Sequence, residues 1–103
     1  LLVHYIDPHV PYSPPDRYAR IFNPIPTERF AHKFDDAYEA RIGKLNATPE
    51  EKRQIRGLYD GEVRYVDEAV GDLLQALERL NIFDYTWIVI TSDPESIGNQ
   101  RIR

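Results

Sequence analysis

The chain has 103 residues, 42% hydrophobic and 29% charged, with 17 acidic against 13 basic side chains and a formal net charge of −4. That is room for one small domain with an ordinary soluble composition, which argues against disorder throughout. Without clustered Lys and Arg it suits neither nucleic acid nor an anionic membrane, no apolar run nears the roughly 18 residues that span a bilayer, and the lack of cysteine excludes disulfides, thiolate metal sites and a cysteine nucleophile.

Leu1-Leu2-Val3-His4-Tyr5-Ile6 is a nearly continuous apolar run, the texture of a strand buried on both faces. From Asp7 prolines recur as far as Pro26; each lacks a backbone donor and fixes φ, so this segment cannot extend a sheet. Asp16 to Ile21 has room for a turn or two of helix, and residues 31–46 place Phe34, Tyr38, Ile42 and Leu45 at the spacing of a short surface helix. Asn46-Ala47-Thr48 fits the N-glycosylation pattern, which is common by chance and informative only in a secretory context.

Thr48-Pro49-Glu50-Glu51 is a helix start, with Thr48 as cap, Pro49 at the first helical position and Glu51 closing a capping box. Ile55, Leu58, Tyr59, Val63, Val66, Ala69, Val70, Leu73, Leu77 and Leu80 then repeat every three or four residues. The phase holds through Asp60-Gly61, so one helix to about Leu80 is predicted, with Gly61 and Gly71 allowing close packing and Asn81 ending it. Its acidic residues, Asp60, Glu62, Asp67, Glu68, Asp72 and Glu78, read as a solvated face. Ile82-Phe83-Asp84 turns the chain into a second buried strand, Tyr85-Thr86-Trp87-Ile88-Val89-Ile90.

Strand, crossover helix, strand is an α/β arrangement with parallel strands pointing the same way. Residues 1–103 are then expected to be one partial domain excised from a larger one: no methionine is present and the first residue already belongs to a strand. Parallel strands would also bring His9 and Asp93 to one sheet edge, at the carboxyl ends where α/β proteins build sites.

Asp93 could ligate a hard divalent cation, or cap a helix that begins at Pro94-Glu95. His9, between Pro8 and Pro11, could donate to an anionic substrate or move a proton near neutral pH; it could equally bond a neighbouring backbone group. His4 reads as a core residue, His32 as a solvated one, and Asp7 as a turn-former bonding its own backbone. Pro11-Tyr12-Ser13-Pro14 matches a minimal P-x-x-P ligand, a partner-binding motif of low specificity.

Three phrases in order, His4 to Tyr12, Leu58 to Asp67 and Thr86 to Asp93, resemble the sulfatases of the alkaline phosphatase superfamily. The resemblance implies an alkaline-phosphatase-like α/β sandwich and a chain drawn from the middle of its catalytic domain. It implies that His9 contacts the sulfate group of a sulfate ester substrate, and that Asp93 ligates a divalent metal, usually Ca2+. It also implies a formylglycine nucleophile made from Cys or Ser in a C/S-x-P-S-R motif. That motif is not in these residues, nor are the paired aspartates that supply further metal ligands. Pro94 stands where the family has His or Asn as a second ligand, and residues 94–103 read as a tail of divergent origin. The chain alone is therefore expected to be inactive. The alternatives are a phosphodiester or phosphonate monoester hydrolase of the same superfamily, and a non-catalytic remnant that binds a partner.

Overall fold

The computed structural model describes residues 1–9, 11–23, 43 and 47–92. The expected helix over 31–46 lies outside the described residues apart from Gly43, as do Asp93 and the 94–103 tail. Two helices organise the described part: α1, Asp16–Phe22, and α2, Pro49–Arg79, followed by a 3-10 turn at Phe83–Tyr85.

α2 begins and ends as its sequence predicts. The Thr48 side chain accepts from the Glu51 N–H at 3.2 Å, and the Glu51 carboxylate accepts from the Thr48 N–H at 2.9 Å. This reciprocal pair satisfies two of the donors that every helix start leaves open. At the other end Leu80 is the cap and Asn81 takes φ 55°, the left-handed conformation that asparagine tolerates. The Ile82 N–H reaches the Leu77 carbonyl at 3.1 Å and the Asn81 N–H reaches Glu78 at 2.9 Å, the bond pair of a Schellman motif.

α1 packs antiparallel against the N-terminal half of α2. Arg17 lies beside Glu68, Tyr18 beside Tyr65, and Asn23 beside Gln54, so α1 advances while α2 recedes. Two glycines let the elements approach. A Cβ on Gly61 would stand 2.9 Å from Pro14 Cγ and 3.3 Å from the Tyr18 carbonyl oxygen. One on Gly57 would stand 2.3 Å from Asn23 Oδ1. Asn23 is buried there, and its amide donates to the Gln54 carbonyl at 2.9 Å. Gly71, expected to serve the same purpose, has nothing within 4 Å of such a Cβ.

The buried side chains gather on this half of the helix: Tyr12, Tyr18, Ala19, Ile55 and Leu58. Ile55 is 1% exposed, and burying an aliphatic side chain so fully contributes about 1.5–3 kcal/mol. The Tyr12 and Tyr59 rings meet edge to face with centroids 5.6 Å apart, a favoured arrangement of aromatic quadrupoles.

The parallel-strand α/β architecture is corrected by this structure, which has no strand among the described residues. Residues 1–6 and 86–92 form no ladder, and the first position of the expected second strand, Tyr85, belongs to the 3-10 turn. Leu2, Trp87, Val89 and Ile90 are almost wholly exposed, Trp87 at 97%. The reason is that a strand is a relation between backbones. An apolar run becomes one only where a neighbour accepts and donates its hydrogen bonds, and neither run supplies that neighbour to the other. A helix closes its bonds within itself, which is why α2 forms where the sheet does not.

Candidate functional site

The proline-rich segment after Ile6 is not loose. With Pro8, Pro11, Pro14 and Pro15 lacking donors, few backbone N–H groups remain, and two of them share one acceptor. The Ser13 N–H donates to Glu62 Oε1 at 2.7 Å and the His9 N–H donates to Glu62 Oε2 at 3.1 Å. One carboxylate thus clips both ends of the His9–Ser13 loop to α2. Tyr12 is buried beneath the loop against Tyr59, Pro14 is buried over Gly61, and the Tyr5 hydroxyl reaches the Ala69 carbonyl at 3.5 Å. The Pro11–Pro14 motif is therefore engaged within the chain at Tyr12, Ser13 and Pro14.

Glu62 is 3% exposed, which corrects its assignment to a solvated face. Loss of water pushes its carboxyl up to about 7. The Ser13 N–H works against that rise, the Asp7 charge adds to it, and the His9 N–H again opposes it. The signal was present in the spacing: Glu62 lies seven residues after Ile55 and four after Leu58, in the middle of the apolar stripe at 3.6 residues per turn. Val63, assigned to that stripe, is 42% exposed at its edge. Acidic residues on helices are mostly solvated, and spacing alone does not reveal the loop that arrives to use this one.

His9 itself is exposed on the loop, with its backbone fixed from below. The bond is made by the backbone N–H to the Glu62 side chain, which is neither a ring bond to a neighbouring backbone group nor a contact with an anion. An imidazole at the surface can donate a hydrogen bond to an anion. Asp7 neighbours the site through its charge on Glu62. His4 is exposed rather than part of a core.

Asp93 lies outside the described residues, so its expected meeting with His9 is not placed. Hard divalent cations take six or more oxygen ligands. Among the described residues no group of three or more His, Cys, Asp or Glu side chains could hold a metal ion, so the described residues by themselves do not make up the donor set of a divalent metal. Among the same residues no helix is long and apolar enough to cross a membrane.

Comparisons with known proteins add one finding to this geometry. The sequence model of the Sulfatase family matches residues 1–96. No curated protein and no solved structure matches the chain. The family match takes in the clipped loop, the helix that clips it and the segment up to Asp93, and with so much of its length covered the chain belongs to the sulfatase family.

Proposed function

We propose that the protein carrying this chain is a sulfuric ester hydrolase, and that these residues form a central section of its catalytic domain. The observation that carries this reading is the Sulfatase family match over residues 1–96; within it, Glu62 fixes the backbone of His9 at 3.1 Å while the residue remains exposed. Cleaving a sulfate ester builds negative charge on the sulfate oxygens, and fixed donors facing that charge lower the barrier. His9 is the donor this reading assigns. It contacts the sulfate group and orients it.

The nucleophile, a formylglycine in sulfatases with the C/S-x-P-S-R motif, lies outside these residues. A divalent cation, calcium on this reading, stabilises charge on the sulfate when bound, and Asp93 is the residue of this chain that would contribute an oxygen ligand.

The test is hydrolysis of an aryl sulfate and the matching aryl phosphate esters by the full-length protein, with and without His9→Ala. Preferred turnover of the sulfate ester is expected, with kcat reduced about 10²- to 10³-fold in the variant, the usual loss when one oxyanion donor is removed. Preferred turnover of phosphate monoesters or diesters, or full activity without His9, would overturn the reading. Removal of calcium by a chelator is expected to abolish activity, and Asp93→Asn to raise the calcium needed to restore it.

A further inference from the structure

We infer that Glu62 is a positioning residue for His9, acting through the backbone of the loop rather than on the substrate. The inference rests on the sulfatase reading above and extends it to a residue of the helix interior.

Packing alone gives no reason for a carboxylate at this place. Glu62 occupies the centre of the apolar stripe and is 3% exposed, where an ionised group is costly and a neutral side chain of similar size would fill the space. Its burial drives the carboxyl up to about 7, a measure of how poorly the position suits a charge. What the carboxylate gains is two backbone donors four positions apart, one of them the N–H of His9. A single rigid group with two diverging oxygens can hold both ends of a short loop at once. No other residue type does so from this helix position: Gln offers one acceptor and turns two donors toward the second N–H, while Asp reaches less far.

The prolines complete the device. Pro8 precedes His9, and Pro11 and Pro14 follow it, so between Pro8 and Pro14 only the non-proline positions offer an N–H. The base of the loop is held by Pro14 over Gly61 and by the Tyr12 ring on Tyr59. The His9 end has the Glu62 bond. Loss of that bond removes a tie on the His9 backbone while the Tyr12 and Pro14 contacts beneath the loop are made by other residues.

The test is a double-mutant cycle on the full-length protein: wild type, Glu62→Gln, His9→Ala and the double variant, each assayed for kcat and KM with an aryl sulfate and normalised to folded protein by circular dichroism. Glu62→Gln is expected to lower kcat about 10- to 100-fold with KM nearly unchanged, the order of loss from misplacing a catalytic group by about 1 Å. In the His9→Ala background the same substitution is expected to change kcat less than about 2-fold, because a residue acting through His9 has nothing left to act on. A merely structural Glu62 would impose the same loss in both backgrounds. Equal losses, or no loss from Glu62→Gln alone, would overturn the inference while leaving the sulfatase reading intact. No turnover of sulfate esters by the wild type would overturn that reading, and the role of Glu62 with it. If Glu62→Gln does not fold, Glu62→Asp takes its place in the cycle, with a smaller loss and the same dependence on His9 expected.

Discussion

The buried carboxyl of Glu62 makes the stability of this protein fall as the pH rises from about 4.5 to about 7. In the folded chain the group holds its proton up to about 7, against an ordinary value of 4.5. Between those values the native state binds more protons than the unfolded state, so raising the pH favours unfolding. The contribution is complete below about 4.5, declines across the interval and is absent above about 7. Each tenfold difference in proton affinity is about 1.4 kcal/mol, so the gap amounts to about 3 kcal/mol. That is a large part of the stability of a small domain, which is about 5–15 kcal/mol. Urea unfolding at intervals between about pH 4 and pH 8 measures it, with Glu62→Gln as the reference that cannot titrate and that cancels the other carboxylates. The stability of wild type relative to the variant is expected to drop by about 3 kcal/mol over that range, most steeply between about pH 5 and pH 7. Parallel curves, or a wild type that gains on the variant with rising pH, would refute the assignment of a desolvated Glu62.

Four further substitutions test the packing and the capping of α2. Gly57→Ala gains about 1 kcal/mol of helix propensity but drives a methyl to within 2.3 Å of Asn23 Oδ1, breaking a buried hydrogen bond whose loss costs about 1–3 kcal/mol; chemical denaturation should show a net loss, whereas Gly71→Ala, with open space around it, should stabilise by about 1 kcal/mol. Thr48→Ala removes the cap of α2 and should cost about 1 kcal/mol, with faster amide exchange confined to its first turn. Tyr12→Ala empties a 3%-exposed site against Tyr59 and should lower stability by about 3 kcal/mol or more, read as a shift in the urea midpoint.

The extent and the two ends of helix α2 are legible in the sequence, because their determinants are local. Thr48 and Glu51 meet across one turn, Asn81 ends the last one, and the apolar stripe needs no distant partner to set its phase. The short helix expected from Asp16 to Ile21 is α1. The two apolar runs have the composition of a buried sheet, yet they form no strand among the described residues. Composition does not supply the neighbouring backbone that turns an extended run into a strand.

The sequence by itself determined α2, its two ends, the break imposed by the prolines, and a family resemblance that runs through all three. Only the tertiary structure decided that the loop folds back over Gly61 and that Glu62, spaced like an apolar residue, takes the N–H groups of His9 and Ser13. The difference is physical. A helix answers to neighbours three and four residues away, whereas the burial of a charge depends on whether a segment some fifty residues distant arrives with donors to meet it.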